Sequence, residues 1–132
     1  LARKAFTIGF PRARDAVDCD YVGIVSGNEV KDKVARTSFH PRKSEVDAPY
    51  FEEFPLTYVC TLEKVIDDPE YGFYVVAKVQ HILVDEDLGP RPGLFDPEHA
   101  DPLLFCPLDN TYRHVGGVVG KAFSIGLARK EK

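Results

Sequence analysis

Two long alternating segments separated by one short turn constrain this chain more than anything else in it. In residues 56–66 one face carries Leu56, Tyr58, Cys60, Leu62 and Ile66, with Lys64 the exception, and the other carries Thr57, Val59, Thr61, Glu63 and Val65. In residues 73–84 the row Phe73, Val75, Ala77, Val79 and Leu83, with His81 in the same row, is the expected inward set. A period of two, carried by β-branched and aromatic side chains, is the pattern of a strand. Between the runs, Asp67-Asp68-Pro69-Glu70-Tyr71-Gly72 supplies turn residues. An antiparallel hairpin is therefore predicted, and around it a mainly β domain.

The remaining segments are shorter. Residues 5–9 read as a strand stopped by Pro11. Residues 15–26 fit a helix with Val17, Tyr21, Ile24 and Val25 on one face, capped by Asp15 and stopped by Gly27 in the left-handed conformation. A second helix is predicted over 29–36, capped by Asn28. Thr37 to Pro55 reads as a long loop broken by Pro41, Pro49 and Pro55, and loops of that length in a small domain are usually functional. Residues 85–102, rich in proline, glycine and acids, read as loop with one helical turn near Pro97–Ala100. Leu103–Cys106 is expected to be a short strand, and Ala122–Gly126 a terminal one.

At 132 residues the chain fits one domain, residues 1–132, long enough to bury a core without disulfides. It contains no methionine, and Leu1 is followed almost at once by the first strand. The expectation is a C-terminal portion of a larger domain whose N-terminal segment is missing. A net charge of −4 argues against nucleic acid as a partner, and no apolar run approaches a membrane span. Cys19, Cys60 and Cys106 lie far apart and form no metal-type pair, which points to free thiols in a reducing, cytoplasmic compartment.

Charge is spread unevenly. Residues 31–43 carry Lys31, Lys33, Arg36, Arg42 and Lys43 against Asp32 alone, whereas residues 45–70 carry eight acids against Lys64. Two solvated faces of opposite sign explain this, and so does an anion site beside an acidic surface. His40, His81, His99 and His114 have no metal-ligand spacing, and no serine sits in a nucleophile elbow. His81 reads as a core or barrel-mouth histidine satisfied by a hydrogen bond. Gly120-Lys121 is followed by Ala122, not by the Ser or Thr of a phosphate loop. The richest segment is Thr37 to Tyr50, with hydroxyls, two adjacent cations and aromatic rings on a proline-stiffened loop. A phosphorylated aromatic ligand needs that mixture, which an ordinary surface loop also shows.

Taken in order, several of these segments resemble the flavin reductase-like family and, within it, the flavoredoxin branch. The resemblance is carried by Asp20-Tyr21-Val22-Gly23-Ile24-Val25-Ser26-Gly27, by Thr37 through Pro49, and by Phe51-Glu52-Glu53-Phe54-Pro55. Leu103-Leu104 with Tyr112, and Gly116 with Gly120-Lys121-Ala122-Phe123-Ser124-Ile125-Gly126, continue it to the end of the chain. It implies a mainly β fold with short helices: a split β-barrel of the FMN-binding type, here without its N-terminal strands. It further implies a homodimer, FMN as cofactor, and Thr37, Pro41, Lys43, Ser44, Ala48, Pro49 and Tyr112 along the flavin site, Tyr112 near the ring. The function implied is an FMN-binding redox protein that carries electrons, supplied by NAD(P)H or by a protein redox partner. Many reductases of the wider family carry a Gly-Asp-His turn where this chain has Glu70-Tyr71-Gly72, which favours electron carriage over direct NAD(P)H oxidation. The alternative is a split-barrel binding or dimerisation module that has lost the cofactor; a third reading is a reductase that uses NAD(P)H on free flavin.

Overall fold

The computed structural model describes residues 4–88 and 96–130. The predicted hairpin is its spine. Strand β4 (Leu56–Asp68) pairs antiparallel with β5 (Gly72–Val84) along its whole length, and β1 (Ala5–Phe10) covers the other edge of β4 over residues 56–61 only. The sheet order is β1-β4-β5. Gly72 closes the turn at φ 95°, a conformation open to glycine, while Asp68 Oδ1 accepts from the amides of Glu70 and Tyr71.

Pairing is interrupted twice. Val59 faces His81 but Cys60 faces Val79, so Gln80 is an extra residue; Leu62 faces Ala77 but Lys64 faces Val76, so Glu63 is another. Such bulges turn the side chains beyond them to the opposite face of the sheet. The bulge at Glu63 explains why Lys64 broke the apolar row in the sequence. The bulge at Gln80 separates His81 from Val79: His81 shares a face with Val59, whereas Val79 shares one with Cys60. The expected inward row of β5 is therefore not a single row, and Phe73, Val75 and Val79 are exposed while Ala77 and Leu83 are half-buried.

The core sits at the root of the sheet, around Phe39, Thr57, Val59, Cys60, Leu88 and Ala100. Phe39, Phe51 and Phe54 pack as a ring cluster with centroids 5.0–5.3 Å apart. Gly9 makes room for it: a Cβ there would lie 2.2 Å from the Phe54 ring. Arg12, almost fully buried, ties the end of β1 to the neighbouring segments. Its guanidinium donates to the carbonyl of His99 at 2.7 Å and to Asp85 at 3.0 Å.

Helix α1 (Ala16–Ile24) begins close to its predicted start, but Asp15 makes no side-chain cap. It accepts from the Arg12 amide instead. The helix ends before the predicted Gly27, because Val25 is already extended; Lys33 Nζ then donates to the carbonyls of Val22 and Val25 at 2.8 and 2.9 Å. The second predicted helix is reduced to a turn and a 3-10 segment, Lys33–Arg36. Helix α2 (Pro97–Ala100) forms where expected, with Asp96 accepting from the amides of Glu98 and His99. Strand β6 (Leu104–Cys106) pairs with β7 (Thr111–Arg113). The expected terminal strand at 122–126 is absent: a turn leads into a 3-10 segment, Ile125–Arg129. Part of the loop expected over 85–102 lies outside the described residues.

Candidate functional site

The loop from Thr37 to Pro55 contains a small hairpin, β2 (Pro41–Lys43) and β3 (Pro49–Phe51), with Lys43 facing Pro49. Three-residue strands bounded by prolines carry no readable alternation, so sequence pattern could not show them. The hairpin is anchored at its base. Both oxygens of Glu53 accept from the His40 amide, at 3.1 and 2.9 Å, and Oε1 lies 2.5 Å from the His40 ring. Burial pushes the Glu53 carboxyl up, but the His40 contacts outweigh it and leave the group below its usual range. Thr7 Oγ1 donates to the Pro49 carbonyl at 2.6 Å, joining the hairpin to β1. The turn between β2 and β3 is closed from within by Ser44, whose hydroxyl reaches the Ala48 carbonyl at 2.6 Å.

This hairpin folds around a cavity of about 460 Å³ lined by residues 41–44 and 46–49. Five of the seven predicted site residues, Pro41, Lys43, Ser44, Ala48 and Pro49, line it together. A second cavity, about 300 Å³, shares Lys43 and Ser44 with the first and adds Glu45, Tyr50, Val59, His81 and Leu83. The sheet thus forms one wall and the hairpin the other. The two adjacent cations differ: Arg42 is held by Glu52 at 2.6 Å, whereas Lys43 has no carboxylate within ion-pair distance among the described residues.

Thr37 and Tyr112 lie elsewhere. Thr37 Oγ1 donates to the Val34 carbonyl at 2.7 Å and accepts from the Phe39 amide, closing the turn before the hairpin. Tyr112, on β7, donates to Asp20 of α1 at 2.8 Å, and this bond to a carboxylate, more than burial, holds its phenol above its usual pKa. Two residues earlier on α1, Asp18 accepts from the hydroxyl and the amide of Ser38, which keep its carboxyl low. The helix therefore carries one polar tie to β7 and another to the segment that leads into the hairpin.

His81 was the residue whose place at the cavity the sequence concealed. Its alternation put it in the row of Val79, and only the bulge at Gln80 carries it round to Val59 and the hairpin. There its Nε2 lies 2.6 Å from Glu45 Oε2. Among the described residues no cluster of three or more His, Cys, Asp or Glu side chains could hold a metal, and no helix is long and apolar enough to cross a membrane. The three cysteines are free; burial first, then Asp15 and Asp18, push the Cys19 thiol up to about 11.

No family model and no curated protein sequence matches the chain. Solved structures do. The flavoredoxin of Desulfovibrio vulgaris (Miyazaki F) is 36% identical with a TM-score of 0.82, over 95% of this chain and 66% of that one. A flavoredoxin from Methanosarcina acetivorans is 26% identical with a TM-score of 0.85, over 97% of this chain and 67% of that one. A split-barrel domain protein from Shewanella frigidimarina NCIMB 400 shares the fold at 17% identity and a TM-score of 0.71, over 89% of this chain and 60% of that one. The chain spans about two thirds of the length of the flavoredoxins it matches. Its strands and short helices are those of a split barrel, and it belongs to the flavin reductase-like family, with flavoredoxins among its relatives.

Proposed function

We propose that this chain supplies much of the flavin site of an FMN-binding redox protein and that the bound flavin carries electrons. The observation that carries this reading is the convergence of Pro41, Lys43, Ser44, Ala48 and Pro49 on one cavity that opens against the sheet. The residues fit the group. FMN brings a phosphate and a planar ring; Lys43 offers an ammonium that pairs with no carboxylate among the described residues, and the prolines, Ala48, Val46 and Tyr50 offer apolar surface. When bound, FMN supplies the electron-accepting ring, and the protein's part is binding, orientation and exclusion of water. Glu53 and Thr7 contribute by fixing the hairpin on the sheet, so that Lys43 and Ser44 are held in place before a ligand arrives.

Thr37 and Tyr112 act from a distance in this reading, Thr37 by shaping the turn before the hairpin and Tyr112 through α1. Glu70-Tyr71-Gly72 in place of a Gly-Asp-His turn supports electron exchange with a protein redox partner over direct use of NAD(P)H. Exposed Phe73, Val75, Val76 and Val79 on β5 support a homodimer, since a bare apolar strand of this kind is normally covered. Free thiols fit a cytoplasmic setting.

Titrating the full-length protein with FMN while following flavin fluorescence tests the proposal. Saturable quenching is expected, weakened about 10-fold or more in Lys43→Met, the usual cost of one hydrogen bond to a charged group. Absence of FMN binding by the full-length protein would leave the second reading, a dimerisation module without cofactor, which the exposed strand β5 favours.

A further inference from the structure

The second cavity contains a carboxylate supplied by the chain itself. Glu45 stands on the turn between β2 and β3, and its Oε2 lies 2.6 Å from His81 Nε2 on β5. The pair spans a cavity whose wall also holds Lys43, Ser44 and Tyr50. Glu45 is three-quarters exposed and His81 half exposed, so the contact is one that water and salt weaken. The turn beneath Glu45 is closed by Ser44 and by backbone bonds, none of which uses the Glu45 side chain. The side chain can leave without undoing the turn.

We propose that Glu45 is a built-in competitor for the anionic group of the ligand, and that Lys43 and His81 form a seat for a phosphate monoester. The inference rests on reading this cavity as part of the flavin site. The Glu45 carboxylate makes the contact with His81. A phosphate monoester carries more charge than a carboxylate and offers three acceptor oxygens. It can meet His81 and Lys43 together, and Glu45 then swings into solvent. Lys43 suits this exchange because no carboxylate pairs with it among the described residues, whereas Arg42 is already bound to Glu52. Glu45 thus weighs against the phosphate end of the ligand only, and a flavin that lacks the phosphate leaves the Glu45–His81 contact in place.

The test uses the full-length protein and four proteins in parallel: wild type, Glu45→Gln, Glu45→Ala and His81→Gln. Each is titrated with FMN and with riboflavin, which has the same ring and no phosphate. Glu45→Gln and Glu45→Ala should tighten FMN by about 5-fold, the scale of an exposed ion pair plus one removed repulsion, and leave riboflavin unchanged. His81→Gln should loosen FMN and leave riboflavin unchanged. Equal FMN affinity in wild type and both Glu45 variants, or equal tightening of FMN and riboflavin, overturns the competitor while the flavin site stands. If neither flavin binds, the flavin reading fails on its own, and inorganic phosphate followed at the His81 Cε1–H resonance decides the seat. A phosphate-dependent shift that is larger in Glu45→Gln upholds it, and no shift overturns it.

Discussion

The root and the tip of the β4–β5 hairpin are made of similar residues and live in different surroundings. At the root, residues 56–61 have β1 on one side and β5 on the other, with Pro55, Thr57, Val59 and Cys60 buried. Toward the tip, Val65, Ile66, Tyr71, Phe73, Tyr74, Val75 and Val76 stand exposed on a two-stranded ribbon. The strand pattern is equally apolar in both halves. Burial is thus decided by what packs on a strand, and a hydrophobic alternation reports only that something should.

The largest test of that contrast is a pair of truncations. Phe39→Ala, which empties the ring cluster at the root, should cost about 3–5 kcal/mol, and Phe73→Ala near the tip about 0.5 kcal/mol or less in the isolated chain. Urea unfolding curves for the two variants measure both, and equal losses would dissolve the distinction. Gly9→Ala adds a methyl group against the Phe54 ring and should cost about 1–3 kcal/mol, whereas alanine at Gly116, with nothing within 4 Å of a new Cβ, should fold as the parent does. Lys33→Met removes two donors from the carbonyls that end α1, for a loss of about 1 kcal/mol in the same assay.

Acid should unsettle the root through two carboxyls. Both Asp18 and Glu53 are held below their ordinary values of 3.8 and 4.5. A lowered folded pKa gives stability that is complete above the unfolded value and lost as pH falls through the folded one. Stability should therefore decline below about pH 4.5, and Asp18→Asn should flatten its share of the slope. Thermal melts at stepped pH report it. The smallest effect concerns Cys19: with its thiol raised to about 11, alkylation by iodoacetamide at pH 7.5 should run slower than for a free cysteine model.

What could be read from sequence follows the length of each signal. The long hairpin, α1 and the Pro97–Ala100 turn were legible because several residues repeat one period or one cap. The β2–β3 hairpin was not, because its strands last three residues each and prolines blur them. Gly27 misled as a helix stop since Val25 turns extended first and Lys33 satisfies the freed carbonyls. The tail at 122–126 alternates like a strand, but Phe123 sits at φ 60° and the chain coils into a turn instead. Of the site, the hairpin residues were legible from their chemistry and from the resemblance; Thr37 and Tyr112 fell outside the cavity because their hydroxyls are committed to Val34 and Asp20. His81 was hidden by a single inserted residue.

That residue and its counterpart have an arithmetic consequence. Gln80 shifts β5 by one position against β4, and Glu63 shifts β4 by one against β5, so the two cancel. Root and tip are paired in the same frame, and only the three pairs between them run out of step. Deleting Gln80 alone would remove the insertion and leave Val79 opposite Cys60 and His81 opposite Val59, so His81 would keep its face. Deleting both Gln80 and Glu63 would leave every pair of the ladder as it is in a shorter, regular ribbon, with His81 still opposite Val59. The position of His81 thus depends on Gln80 staying out of the ladder: taken in opposite Val59, it would put His81 opposite Tyr58, on the face away from Glu45.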